Sequence, residues 1–238
     1  MVENITYKYN LTGPVVLKNL SFKVAQGEIV ALMGLSGCGK STLCYCLNGI
    51  IPHCWDGVLE GRILVNGKDT KEFTVASLAQ EVGLVFQDPD TQLFSPTVED
   101  EIAFAPENMC LPRELIRERV DEIINLLGIE SLRIANPCQL SGGEKHLVAL
   151  AAVLALDPPV LVLDEVMSQL DYSGKKKVAD ALEKLRRQGK TIIAVEHDLE
   201  TVAMADRMMI MENGKLIKFD RREKIMADQE FLAACRLI

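Results

Sequence analysis

Apolar and polar residues alternate from Asn4 to Tyr9 and again from Val15 to Val24, the period of two that a half-buried strand requires. A third alternating stretch, Val58 to Val65, runs into Asn66-Gly67, a pair that readily takes positive φ and so predicts a hairpin turn. Elsewhere the pattern changes. Glu28 to Met33, Val160 to Leu163 and Thr191 to Val195 are apolar runs of the kind buried on both faces of a parallel sheet. Between the last two, Lys175 to Gln188 repeats apolar positions at helical spacing and stops at Gly189, which predicts an amphipathic helix. Residues 94–135 carry Glu, Arg and Leu at helical spacing, clearest from Arg113 to Leu127, and predict a helical insert. Strand, helix, strand in this order predicts an α/β core around a parallel sheet.

Composition narrows the class. Of 238 residues, 48% are hydrophobic and 25% charged, a balance that excludes a disordered or fibrous chain. The net charge of −8 weighs against a nucleic-acid partner, which calls for a basic surface. No apolar run approaches the roughly 18 residues of a membrane span; Leu147 to Leu156 is stopped by Asp157-Pro158-Pro159. Met1 to Asn4 lacks the basic start of a signal peptide, so the expected location is the cytoplasm. Seven scattered cysteines fit reduced thiols better than a disulfide framework. Cys44, Cys46, His53 and Cys54 stand close in sequence, but Cys44 and Cys46 fall two apart on a predicted helix and do not share a face for a metal.

The chemistry begins at Gly34-Leu35-Ser36-Gly37-Cys38-Gly39-Lys40-Ser41-Thr42, directly after the strand ending at Met33 and opening a helix that holds Leu43 and Leu47. This is the phosphate-loop pattern in its strand–loop–helix setting. Glycines let the backbone wrap a phosphate chain, loop amides point inward, and the helix N-terminus adds its positive end. Lys40 offers charge to the outer phosphates, and the Ser41 hydroxyl is a ligand for Mg²⁺. Cys38, beside a helix N-terminus, is placed where a thiolate is favoured; the other reading is a small filler under bound nucleotide. Downstream, Val160-Leu161-Val162-Leu163-Asp164-Glu165 delivers two acids at the C-terminal end of a buried strand, where α/β sheets bind ligands. Asp164 is the candidate Mg²⁺ carboxylate, and Glu165 the candidate general base on water.

Leu140-Ser141-Gly142-Gly143-Glu144, just before that acidic strand, completes a resemblance to the ATP-binding-cassette (ABC) ATPases, whose signature is LSGG followed by Gln or Glu. The resemblance covers the whole chain in order. It implies a nucleotide-binding domain with a RecA-like parallel-sheet core, an N-terminal antiparallel β subdomain and a helical signature subdomain. Residues 1–90 and 145–238 would form the β subdomain and core, and 91–144 the helical part, all within one domain. It further implies that Tyr9, 25 residues before Gly34, stacks on adenine, and that Gln87 is the Q-loop glutamine that senses the metal. Ser168-Gln169-Leu170-Asp171 resembles the D-loop, and His197 the switch histidine that meets the γ-phosphate. His53 and His146 read as structural.

Ser141, Gly142 and Gly143 open a helix and so present amides and a dipole to an anion. The chain holds one phosphate loop, and in the family the signature of one cassette closes over nucleotide held by another. A second cassette, identical or related, is therefore expected. More narrowly, Gln87-Asp88-Pro89-Asp90-Thr91-Gln92 and Thr97 to Asn108 resemble the ATPase subunits of energy-coupling factor importers, which take up vitamins and cobalt or nickel ions. That implies transmembrane coupling and substrate-binding subunits, with the chain held on the inner face of the membrane through them. Asp228 to Ile238 resembles the same subgroup, whose members usually continue further, so a short member or half of a tandem protein is expected. Two departures stand out. Glu144-Lys145-His146-Leu147 replaces the frequent Gln-Lys-Gln-Arg, and Val166-Met167 the usual Pro-Thr, which slightly favours a heterodimer. The alternatives are the ATPase of another ABC transporter class, a DNA-repair ATPase, which carries a long coiled coil, or a translation factor, which usually has two cassettes and a basic linker; no sustained heptads occur here, and the acidic balance weighs against the last two.

Overall fold

A computed structural model describes residues 1–197 and 201–237. In chain order the described elements are β1 (Val2–Lys8), β2 (Leu17–Phe22), β3 (Ile29–Met33), α1 (Lys40–Leu47), α2 (Ile50–His53), β4 (Val58–Val65), β5 (Lys68–Asp69), α3 (Val75–Ala79) and β6 (Val82–Val85). They continue as α4 (Val98–Asn108), α5 (Arg113–Leu127), α6 (Gly142–Leu154), β7 (Val160–Asp164), α7 (Tyr172–Arg187), β8 (Thr191–Val195), β9 (Arg207–Glu212), β10 (Lys215–Arg221), α8 (Arg222–Met226) and α9 (Gln229–Ala234).

The strands form two sheets. The alternating N-terminal segments build an antiparallel sheet of order β2-β1-β4-β5, closed by the Asn66-Gly67 turn between β4 and β5. Its inward residues, among them Ile5, Tyr7, Leu17, Leu20 and Ile63, are buried. The unbroken apolar runs build a second sheet of order β10-β9-β3-β8-β7-β6. Its strands are parallel from β9 to β6, and β10 is an antiparallel edge. All five residues of β3 and of β8 are buried, as strands covered on both faces require.

Two hydrophobic clusters account for the layering. One joins α1 and the antiparallel sheet to one face of the parallel sheet through Val30, Leu32, Leu43 and Leu47. The other joins α4, α5, α6 and α7 to the opposite face through Ile29, Ala31, Ile102, Ile124, Leu150 and Leu182. Helix α6 runs unbroken from Gly142 through Leu154, so residues 144 and 145 lie inside a helix rather than at a hinge. Across residues 91–144, Arg133 forks to Glu99 at 2.7 and 2.9 Å and to Asp121 at 2.6 Å, fastening α4 to α5.

Because β3, β6, β7 and β8 run parallel, their C-terminal ends lie along one edge. The Gly34–Gly39 loop leaves β3, Gln87 follows β6, Asp164 and Glu165 close β7, and His197 follows β8. The topology therefore gathers residues separated by more than a hundred positions in sequence.

Candidate active site

The loop between β3 and α1 depends on glycine at two points. Gly34 sits at φ +155°, and a Cβ there would lie 2.3 Å from the Met211 carbonyl oxygen. Gly39, at φ +104°, is the left-handed N-cap of α1. Lys40 is buried, and its Nζ donates to the carbonyls of Gly34 at 2.8 Å and Leu35 at 3.3 Å. The ammonium is thus held in the mouth of a loop whose helix N-terminus is also electropositive, a setting built for anionic oxygens.

Under the loop lies Asp164, fully buried, with no hydrogen-bond partner for either carboxylate oxygen. Burial pushes its carboxyl up from the usual range, while the neighbouring Ser41 hydroxyl and the Lys40 ammonium oppose that rise. A buried carboxylate left without donors is costly. A hard cation or its water, shared with the Ser41 hydroxyl, would satisfy it, so the residues present fit a divalent metal.

Glu165 is the meeting point of three elements. Its Oε2 accepts from Gln87 Nε2 at 2.7 Å, and its Oε1 lies 2.5 Å from His197 Nε2. Its backbone takes a left-handed φ of +58°, uncommon for a side chain of this size and worth about 1–3 kcal/mol of strain. Three hydrogen bonds hold it there: its N–H donates to the Val195 carbonyl at 3.2 Å, and the Ser168 N–H and hydroxyl donate to its own carbonyl at 3.2 and 2.7 Å.

Tyr9 lies one residue beyond β1, and its hydroxyl pairs with Thr42 Oγ1 at 2.9 Å, tying it to the start of α1. Its ring stands 4.9 Å from Tyr7 and 6.0 Å from Trp55, and Trp55 packs on Tyr45 at 4.6 Å, centroid to centroid. Tyr45 and Trp55 were not singled out by sequence; Trp55, the one tryptophan of the chain, was the available signal. Gly37 is open to solvent on its Cβ side, and Ser36 is exposed at the rim.

Of the two readings of Cys38, burial favours the filler. Cys38 is buried, 6% exposed, and burial pushes its thiol up despite the Lys40 charge nearby. It is a filler beneath Gly34, not an activated thiolate. Cys44 and Cys46 are both fully buried in the same cluster, and burial pushes Cys46 up to about 12. No cluster of metal-ligating residues of the kind their spacing might suggest occurs among the described residues.

The signature residues are engaged with their own helix. Ser141 caps α6 in a capping box: its hydroxyl donates to Glu144 Oε2 at 2.6 Å and its N–H donates to the same oxygen at 2.9 Å. Among the described residues no hydrogen bond joins Ser141, Gly142 or Gly143 to the Gly34–Thr42 loop. Gly142 has open space where a Cβ would stand. Asp171 caps α7 by accepting from the Gly174 N–H at 2.7 Å. His53 pairs with the Thr70 carbonyl at 2.7 Å.

A phosphate loop at the head of a parallel sheet, with carboxylates at the end of the next strand but one, defines a nucleoside triphosphatase. Residues 17–168 match the ABC transporter family. The chain belongs to that family and is one of its ATPase domains. It is 45% identical, over 96% of its length, to a putative ABC transporter ATP-binding protein of Methanosarcina mazei, of which it covers 39%. It is 39% identical over 95% of its length to the energy-coupling factor transporter ATP-binding protein EcfA of Methanosarcina acetivorans, covering 81% of that protein. Among solved structures, cbiO1 of Clostridium perfringens, part of the ABC transporter complex cbiONQ, superposes with a TM-score of 0.83 at 35% identity, covering 99% of this chain and 93% of that one. The chain spans between 34% and 39% of the length of the first curated Methanosarcina relatives it matches.

Proposed function

We propose that the chain binds ATP with Mg²⁺ in the Gly34–Thr42 loop and hydrolyses it to drive solute uptake through separate membrane-spanning subunits. One observation carries the hydrolytic reading: Glu165 is held between Gln87 and His197 at the end of the strand that buries Asp164 beneath Lys40 and Ser41.

In this reading Gly34, Ser36, Gly37, Cys38, Gly39 and Thr42 line the phosphate chain with backbone amides, and Lys40 meets its outer oxygens. Ser41, Gln87 and, through water, Asp164 would hold Mg²⁺, which supplies charge neutralisation on the β- and γ-phosphates. Tyr9 offers its ring face to the base. Glu165 accepts the proton of the attacking water, with Gln87 and His197 fixing the carboxylate's direction. Ser141, Gly142 and Gly143, with the Asp171 loop, serve nucleotide on a second cassette, for which the absence of any hydrogen bond to this chain's own loop among the described residues leaves them free.

Coupling to import rests on the likeness to EcfA and cbiO1. It is also supported by Phe94 and Phe104, 62% and 45% exposed and packed edge-to-face at 4.6 Å on the segment after Gln87. Solvated aromatics beside the Q-loop form a face suited to a membrane-spanning coupling subunit. No helix among the described residues is long and apolar enough to cross a membrane. In this reading the pathway belongs to other subunits, and the cassette sits on the inner membrane face through them.

The test is Lys40→Ala. Mg²⁺-dependent ATP hydrolysis should fall to background and nucleotide binding should weaken, because Lys40 is the loop's fixed charge. Unchanged hydrolysis refutes the site. Affinity purification from detergent-solubilised membranes should then bring down membrane-spanning subunits; recovery of RNA or DNA instead would remove the import reading.

A further inference from the structure

His146 stands one turn into α6 and is 2% exposed. Each of its ring nitrogens faces a carbonyl oxygen: Nδ1 lies 2.9 Å from Gly142 and Nε2 lies 3.2 Å from Gln87. A carbonyl only accepts and a neutral imidazole carries one N–H, so the ring donates to Gln87 in the tautomer that places its proton on Nε2. Beside it, Lys145 Nζ meets Asp90 Oδ1 at 2.6 Å. The first turn of the signature helix is therefore fastened at two points to the segment Gln87–Asp90. The same Gln87 sends its side chain to Glu165 at 2.7 Å.

We propose that His146 is a positioning residue that ties the start of the signature helix to the Gln87 main chain and thereby sets the direction of the Glu165 carboxylate. The link runs from the imidazole Nε2–H on α6 to the Gln87 carbonyl, and along the Gln87 side chain to the carboxylate oxygen. Sequence alone makes His146 a structural histidine; a structural role requires burial and satisfied nitrogens. It does not require that the residue touched be the one that orients Glu165. In a dimer the signature of a chain serves one nucleotide and its Glu165 the other. His146 then passes closure at one site to the base at the second. This inference rests on the roles given above to Gln87 and Glu165.

The experiment is a double-mutant cycle on ATP hydrolysis by the assembly purified from its host, using His146→Leu, Gln87→Ala and both together. His146→Leu keeps volume and removes the ring N–H. It should lower kcat about tenfold or more, since small misplacements of a reacting group cost that much, and leave KM for ATP within about twofold. The double variant should be no slower than Gln87→Ala alone. His146→Gln should recover most of the rate, because its amide can donate to the Gln87 carbonyl. If His146→Leu does not fold, His146→Asn takes its place: it keeps a donor for Gly142 but is too short to reach Gln87, and the same loss is expected. Losses that multiply in the double variant, an unchanged kcat, or a His146→Gln enzyme as slow as His146→Leu would each overturn the proposal. If Gln87→Ala is itself harmless, the catalytic reading of Gln87 fails and takes the proposal with it. If Gln87→Ala is slow while the His146 variants are not, the proposal alone fails.

Discussion

A thiol beside a helix N-terminus is ordinarily acidified by the dipole, and Cys38 has that address. What decides its behaviour is the loss of solvent. The sulfur lies where a Cβ on Gly34 would stand 2.8 Å away, and burial outweighs the Lys40 charge. A raised thiol pKa means less thiolate at neutral pH, so alkylation of Cys38 should speed up only as the pH climbs above the ordinary thiol range. At pH 7 a maleimide should label the exposed Cys54, Cys110 and Cys138 first, read by mass spectrometry of the peptides. Prior labelling of Cys38 would reverse this reading. The residue thus divides what sequence conveys from what it does not. The loop's backbone task was legible because Gly34 and Gly39 leave few alternatives. The fate of one side chain inside it was not, because what lies against Cys38 comes from far along the chain, where the Gly214 N–H donates to its carbonyl at 3.0 Å.

The signature at the start of α6 binds its own cap so closely that its polar groups are partly committed. Glu144 is held below the usual carboxylate range, first by the Ser141 hydroxyl and then by the Ser141 N–H. A depressed carboxyl stabilises the fold above its unfolded pKa, and that stabilisation is lost as the pH falls through the folded value. Ser141→Ala should therefore cost about 1 kcal/mol at neutral pH, the usual worth of an N-cap. The penalty should shrink as Glu144 is protonated below the ordinary carboxylate range. Denaturant unfolding of wild type and variant at neutral and acid pH checks this; a penalty that does not change with pH would mean Glu144 plays no part. Elements were largely visible in advance. The bounds of α5, Arg113–Leu127, follow from apolar spacing alone, and the buried strands β3, β7 and β8 from unbroken apolar runs. Joints between elements were not. Nothing local in Lys145-His146 announces that they meet Asp90 and the Gln87 carbonyl, since those contacts depend on how α6 crosses the end of β6.

At the scale of the molecule, one chain carries a phosphate loop with its base and a signature that does not reach that loop through any hydrogen bond among the described residues. Both features are explained if two cassettes face each other, each signature completing the opposite site. Glu165→Gln separates binding from turnover: the amide keeps the length of the side chain and can still accept from Gln87, but cannot take a proton. Loss of a general base costs on the order of 10²–10⁴ in rate, so bound ATP should persist and hold the facing signature. On size-exclusion chromatography, Glu165→Gln with ATP should elute as a stable dimer, whereas wild type with ADP should be monomeric or loosely associated. A variant that stays monomeric alone but dimerises with a related cassette would identify the pair as a heterodimer, in keeping with His146-Leu147 and Val166-Met167 at positions where the family often carries other residues. Persistence as a monomer with every candidate cassette would refute either Glu165 as the base or the opposed role of the signature. Measuring ATP hydrolysis on the same sample distinguishes the two. A variant that still hydrolyses rapidly removes Glu165, while a dead variant that binds ATP and remains monomeric removes the opposed signature.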